Sequence, residues 1–406
     1  MHLVYPFAGL RPAPEHAAEV AAPPYDVLNS AEARARAAGK MWSFLHISKP
    51  EIDLPPDMDP HSPQVYAKGA QSLRRMLDSG ILRRDAQPCY YVYRMISGAH
   101  CQIGVAVVAS VADYDSNRIR KHEFTRPDKE DDRVRHIEAL DAQTGPVLLA
   151  YPDAPEVDAL LAQRAQHAPA IDIEADGGVR HAIWVVDDET GIDALTRAFD
   201  AMHALYIADG HHRTAAASRV AAARRGQASA QRFLAVAFAH HQMRILDYNR
   251  VVRDLRGMTP AQFLARVSSV FAVEPVSAAV RPGSPGEFGL YLGGRWQRLR
   301  IRPDLAQVAD PVRRLDVSLL AEHLLEPILG IADPRTDKRI DFIGGGRGLG
   351  ELERRVNSGE MAAAFSLHPT RMQDLMAVAD AGRVMPPKST WFEPKLADGL
   401  ISHVLD

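Results

Sequence analysis

The chain has 406 residues, of which 46% are hydrophobic and 24% charged, with a formal net charge of −3. That length is more than one small core fills and that apolar content excludes disorder, so two or three packed α/β lobes are expected. A near-neutral chain without a lysine-rich tail has no sequence-independent attraction to a polyphosphate backbone, which argues against nucleic acid as a partner. The two cysteines, Cys89 and Cys101, sit in strand-like text and read as buried thiols or hairpin neighbours, a usage that fits a reducing cytoplasm. The N-terminus lacks a basic region followed by an apolar core, and no apolar run could span a bilayer, so a cytoplasmic protein with no membrane partner is expected.

Proline-rich turns dominate the first eighty residues, broken by one helix over "VYAKGAQSLRRMLDSG", Val65 to Gly80, where apolar residues recur at helical spacing. From Tyr90 the text turns β-rich, with "CYYVYRM" and "QIGVAVVASVADY" joined by "ISGAH" as a hairpin. A helix over "DDRVRHIEALDAQ", a buried strand "GPVLLAYP", a strand "HAIWVVDD" and a helix near "TGIDALTRAFDA" follow. "LYIAD" reads as a strand feeding a helix, then come a strand "RFLAVAFAHHQM", a helix "TPAQFLARVSSVF", a hairpin around Gly293 and Gly294, and a helical "DVSLLAEHLLEPILG". The interleaving predicts an α+β, mixed α/β architecture. The divisions expected are a wrapping segment over 1–88, a core over 89–255 and a C-terminal α/β region over 256–406.

Three patches carry chemistry. In "IADGHHR" Gly210 suits a tight strand-to-helix corner, and the exposed amides and dipole of the next helix form a seat for phosphate, to which Arg213 adds a forked donor. A structural role would need only Asp209 as a cap, with His211, His212 and Arg213 solvated, but cations at a helix start oppose its dipole. In "KHEFTRPDKEDDR" Glu123 has the chemistry of a general base, His122 that of a substrate-orienting group, and Arg126 and Arg133 that of anion binders; a solvated charged loop is the plainer reading. In "GRVMPPKSTWFEPK" Pro387 stands where a phosphate loop needs its second glycine, which rules out a true P-loop. Lys388, Ser389 and Thr390 could still hold a phosphate, with Trp391 and Phe392 as apolar surface, against the alternative of a surface turn. His240 and His241 lie in or just after a strand, where neighbours face opposite ways and cannot grip one metal, and "FIGGGRGLGE" reads as a mobile loop.

The blocks "PPYDV" (Pro23 to Val27), "KHEFT" (Lys121 to Thr125), "DDR" (Asp131 to Arg133), "ADGHHR" (Ala208 to Arg213), "NRVVRDL" from Asn249 and "MPPKSTWFEPK" (Met385 to Lys395) resemble, in order and along almost the whole chain, the signature blocks of the family catalogued as domain of unknown function 1015. "IADGHHRTAAA" is also similar to the phosphate block of the ParB and sulfiredoxin-like nucleotide-binding superfamily, in particular its free serine kinases. The second resemblance implies a ParB/sulfiredoxin-like core with extra N- and C-terminal elements, and a kinase that uses ATP or ADP with Mg²⁺ on a small hydroxylated acceptor such as L-serine. It would make Glu123, His122 and Arg213 catalytic. Together with the residue types of the three patches it places the nucleotide on Asp209, Gly210, His211, His212, Arg213, Lys388, Ser389 and Thr390, and the substrate near Lys121, Thr125, Arg126, Arg133 and Lys395, with Asp209 on the metal. The partners expected are a nucleotide and a small-molecule substrate, with a homodimer admitted. A nucleotide-binding switch without an acceptor is the other reading that the resemblance allows. Sulfiredoxin-like thiol chemistry would need a cysteine near the phosphates, and Cys89 and Cys101 are far from these blocks in sequence.

Overall fold

The most continuous apolar runs of the sequence occupy the middle of a nine-stranded mixed sheet in a computed structural model that describes residues 2–406. Its strands are β1 (Val4–Tyr5), β2 (Tyr90–Ser97), β3 (His100–Ser110), β4 (Ile119–Arg120), β5 (Val147–Tyr151), β6 (Ile171–Ala175), β7 (Val179–Val186), β8 (Leu205–Asp209) and β9 (Arg232–Ala239). They lie in the order β4-β8-β5-β9-β3-β2-β7-β6, with β1 on β3. The pairs β4·β8 and β5·β9 are parallel and the others antiparallel. Every residue of β5 is buried, and so is every residue of β9 after Arg232, as expected of strands covered on both faces. Along the edge strand β6 buried Ile171 and half-buried Ile173 and Ala175 alternate with exposed Asp172 and Glu174, which leaves one side to water.

Four helices position the site and the sheet: α1 (Pro63–Asp78), α2 (Pro127–Leu140), α3 (Glu189–Asp200) and α4 (His211–Ala223). Leu195, Ala198 and Phe199 of α3 and Ala217 and Ala221 of α4 join Val105, Val107, Leu149 and Phe233 of the sheet in one core. Truncating Phe233, 1% exposed, to alanine would cost about 3–5 kcal/mol there. A second core gathers the N-terminal segment, with Leu45, Ile47, Leu73 and Met76 packed beside Leu140.

The chain divides into two compact units, one formed by residues up to Met243 together with Pro394–Asp406, the other by Arg244–Glu393. The C-terminal return is tied into the first unit by backbone pairs: Ala22 and Asp398 exchange hydrogen bonds of 3.1 and 2.9 Å, and Leu10 and Ser402 exchange two of 2.9 Å. The second unit carries a wholly antiparallel six-stranded sheet. Its strands are β10 (Tyr248–Val252), β11 (Phe271–Val276), β12 (Glu287–Leu292), β13 (Arg295–Ile301), β14 (Ile340–Gly344) and β15 (Ala363–Leu367), in the order β11-β13-β12-β15-β10-β14.

The architecture is mixed α/β, as the interleaved pattern predicts. The hairpin over "ISGAH" forms with Ser97 opposite His100, and the hairpin at Gly293 and Gly294 joins β12 to β13. Two expectations need correction. The strand expected through "ASVADY" stops at Ser110, whose hydroxyl caps a short helix Val111–Asp115 by accepting from the Asp113 amide at 3.1 Å. The cysteines are free thiols as expected, Cys89 a buried one and Cys101 an exposed neighbour of the hairpin tip. The glycine-rich "FIGGGRGLGE" is not a loose loop but the end of β14 and the start of a helix Leu349–Asn357. Gly345 is needed there because a Cβ would stand 2.3 Å from the Asp247 carboxylate.

Candidate functional site

A β-bulge prepares the turn that the sequence singles out. Ile207 faces Leu149 of β5, but Asp209 faces Leu148, so one residue is left over and the strand end is re-aimed. Gly210 then takes φ 101°, a backbone state that a side chain would strain, and α4 begins at His211 with no side chain capping its amides. The uncapped start of α4 therefore presents free donors and the positive end of its dipole.

The charges around this turn largely satisfy one another. Lys395 Nζ donates to Asp209 Oδ2 at 3.0 Å. Arg213 Nη2 lies 3.7 Å from the same oxygen and 3.5 Å from Asp26 Oδ2, while its Nη1 donates to the Pro146 carbonyl. Burial opposes the Asp209 charge, but Lys395 and Arg213 outweigh it and hold the carboxyl well below the usual carboxylate range. Burial likewise opposes the Arg213 charge, and Asp26 and Asp209 overcome it and raise the group above its ordinary value. The Arg213 side chain is only 10% exposed. It thus stands as the internal counter-ion of the carboxylates, where the sequence suggests an outward anion donor.

Two residues that sequence reasoning left without a role complete the cluster, Asp26 and Asp398. Asp398 is 1% exposed, its Oδ2 accepts from the Tyr25 amide at 3.3 Å, and its Oδ1 has no hydrogen-bond partner. Burial pushes its carboxyl up to about 7, Arg213 pulling the other way. Arg133 forks onto Asp132 at 2.8 and 2.5 Å and stacks over the Tyr25 ring with its guanidinium carbon 3.9 Å from the centroid. Tyr25, Arg133, Gly145, Arg213 and Asp398 line a cavity of about 30 Å³, which is room for about two waters. Asp26 had one signal in the sequence, its place in the "PPYDV" block; Asp398 had none, since its partners lie hundreds of residues away.

Glu123 comes to the same turn. Its carboxylate lies 3.6 Å from His211 Nδ1 and 3.9 Å from His122 Nε2. The two imidazoles meet edge to face with centroids 4.4 Å apart, and the His122 amide donates to His211 Nε2 at 3.4 Å. Burial drives His122 down to about 4 and His211 well below its ordinary value, so both rings are neutral at pH 7. Glu123 and the Asp209 to Arg213 turn therefore converge. Phe124, the next residue, is 79% exposed, an aromatic face that sequence reasoning missed.

The remaining expected residues are placed as follows. Arg126 donates its amide to His212 Nε2 at 3.1 Å and pairs with Asp128, so it flanks the helix start. The Thr125 hydroxyl donates to Glu130. Lys121 Nζ sits 3.9 Å over the Tyr114 ring, and burial lowers its pKa. Lys388, Ser389 and Thr390 belong to the second unit. There Lys388 takes φ 57° and its carbonyl accepts from Arg250 Nη2 at 3.0 Å, while the Ser389 hydroxyl donates to the Pro386 carbonyl at 2.5 Å. That commits the Ser389 hydroxyl proton to the backbone. Trp391 packs edge-on against Tyr248 at 5.5 Å.

His240 and His241 depart from the sequence reading. Strand β9 ends at Ala239 and residues 240–242 form a 3₁₀ turn, so the alternation assumed for adjacent strand residues no longer applies. Both rings reach Asp153. Among the described residues, this is the group of three His, Cys, Asp or Glu donors with metal-binding spacing. Among the described residues no helix is long and apolar enough to cross a membrane.

Among solved structures the chain is similar to a free serine kinase in complex with AMP, at 13% identity over 71% of this chain and 86% of that one, with a TM-score of 0.36. It is also similar to a conserved hypothetical protein from Pyrococcus furiosus, at 14% identity over 72% and 93% with a TM-score of 0.35. A third is SbnI with a C-terminal truncation from Staphylococcus aureus, at 12% identity over 72% and 85% with a TM-score of 0.37. No curated protein matches. The family model described as "Protein of unknown function (DUF1015)" matches residues 4–318, and the chain belongs to that family.

Proposed function

We propose that the protein is a nucleotide-dependent phosphotransferase with a ParB/sulfiredoxin-like nucleotide-binding core in its nine-stranded sheet, and that its acceptor is a small hydroxylated metabolite, free L-serine first among the candidates. The observation that carries the reading is the meeting of Glu123 with His211 at 3.6 Å on the uncapped start of α4. A base and a phosphate seat then share one turn, and phosphoryl transfer needs little else beyond positioning and charge neutralisation. The motif "IADGHHRTAAA" supports the assignment of ATP or ADP to this seat.

In this reading Glu123 takes the proton of the acceptor hydroxyl as that oxygen attacks the terminal phosphorus of the nucleotide, whose bond to the bridging oxygen breaks so that the nucleotide leaves one phosphoryl group shorter. Neutral His122 and His211 hold the carboxylate in place. The amides of His211 and His212, with Lys395, offset charge on the phosphates. Arg213 acts one step back by fixing Asp209 and Asp26. A Mg²⁺ ion would use one Asp209 oxygen and draw its other ligands from phosphates and water, as that ion commonly does. Phe124 offers a face on which a base can stack.

The test is nucleotide turnover by the purified protein with Mg²⁺ and a panel of hydroxylated acceptors including L-serine. Glu123→Gln is expected to lower acceptor-dependent turnover by about 100-fold or more while nucleotide affinity stays within about two-fold. Equal turnover in this variant would sink the assignment of the base. Nucleotide binding without any turnover would favour a binding switch instead.

A further inference from the structure

We propose a second site, for a divalent transition-metal ion of the zinc class, at the far end of β5 from the Asp209 turn, with Asp153, His240 and His241 as ligands. It is independent of the phosphotransferase reading. Strands β5 and β9 run parallel with Tyr151 opposite Ala239, so the residues two beyond each, Asp153 and His241, emerge side by side. The 3₁₀ turn at 240–242 then folds His240 in beside them, and Gln242 anchors that turn by accepting from the Ile103 amide at 2.9 Å.

The donor spacing suits one ion. Asp153 Oδ1 lies 3.1 Å from His241 Nδ1 and 3.5 Å from His240 Nδ1, and all three donors fall within 4.8 Å of one another. Ligands on a tetrahedral ion with bonds of about 2.0–2.1 Å stand roughly 3.3 Å apart. Two further features separate this group from an ordinary surface His–Asp pair. The side chain of His240 is 12% exposed, and its Nδ1 is buried with no hydrogen-bond partner, a costly state that a metal bond would relieve. The other ring nitrogen of His241, Nε2, faces Asp158 at 3.8 Å, and Asp158 is itself held by the Tyr151 hydroxyl at 2.9 Å. A carboxylate behind the non-ligating nitrogen is the arrangement that orients metal-binding histidines.

Two imidazoles and one carboxylate make a borderline-soft, neutral-to-anionic donor set that suits Zn²⁺ and leaves a coordination position to solvent, since Asp153 is 74% exposed. The ion would clip the ends of β5 and β9. Asp209 pairs beside the start of β5 and Asp153 lies beyond its end, so about five residues at roughly 3.3 Å each, about 17 Å, keep the two sites apart.

The test is titration of chelator-stripped, full-length protein with ZnCl₂ against a competing chromophoric chelator, together with melting curves with and without the metal. One equivalent should bind and raise the melting temperature. His240→Ala with His241→Ala should abolish that equivalent, Asp153→Asn should weaken it by about 100-fold, and Asp158→Asn by about 10-fold. Melting of each variant without metal, matched to the parent, shows that the fold is intact. Absence of a bound equivalent in the parent, or binding unchanged in Asp153→Asn and in the double variant, would overturn the site.

Discussion

The two ends of β5 differ in how their charged groups are satisfied. At its start exposed Asp26, half-buried Asp209 and buried Asp398 surround Arg213 and Lys395, and Asp26 and Asp209 each have an opposite charge within 4 Å. At its end Asp153, His240 and His241 gather near the surface with a ring nitrogen left unpaired. The first arrangement holds a shape; the second is poised to take an ion. Buried charges tolerate no missing partner, whereas an exposed trio can exchange water for a ligand at small cost.

The strongest way to break this contrast is Arg213→Ala. It would take Asp26's ion pair away, leave Asp209 with Lys395 alone and deprive the Pro146 carbonyl of its donor, with an expected loss of about 1–3 kcal/mol in urea unfolding. A loss below about 1 kcal/mol would show that the cluster is more hydrated than its burial indicates.

Acid comes next. Burial pushes His122, His136, His181 and His403 each to about 4 from an ordinary 6.5. The unfolded chain binds protons that the folded one refuses, so this stability is whole above pH 6.5 and is lost as pH falls toward 4, on the order of a few kcal/mol per group. The urea midpoint should fall steeply across that window. Asp398 has the opposite sign: its carboxyl is raised to about 7, so its contribution is whole below pH 4 and is lost as pH rises through 7. Asp398→Asn should therefore gain on the parent as pH increases from about 5 to 8, by a few kcal/mol at most. A parallel pair of pH curves would contradict the burial of an unpaired Oδ1. The smallest effect is expected at the other end of the strand, where Asp153→Asn without metal should shift stability by less than about 0.5 kcal/mol.

Much of this contrast was hidden in the sequence for a physical reason. Local signals worked: the apolar spacing of α1, the hairpin between β2 and β3, and the Asp-Gly corner before α4 are each decided within a few residues. Glu123 and His211 could be named as chemically suited because their types are distinctive, yet their meeting depends on β4 pairing with β8, which is a long-range choice. Asp398 and Lys395 reach the site across the whole second unit, and no local pattern reports that. Strand alternation fails for His240 and His241 because the strand stops at Ala239 and both residues lie in the turn beyond it. The glycines at 344–346 fit no dinucleotide-binding register and so suggest a loop, whereas the close approach of Asp247, invisible locally, is what requires Gly345.

The return of Pro394–Asp406 to the first unit bears on the order in which the protein can mature during synthesis. Asp209 must wait for Lys395, 186 residues later, and the Tyr25 amide must wait for Asp398, 373 residues later. A chain synthesised as far as β9 holds the whole nine-stranded sheet, with Arg213 already beside Asp209, but lacks Lys395 and Asp398. Residues 394–406 join the first unit only after all of 244–393 has been synthesised, so the set of contacts around the charged turn is completed late.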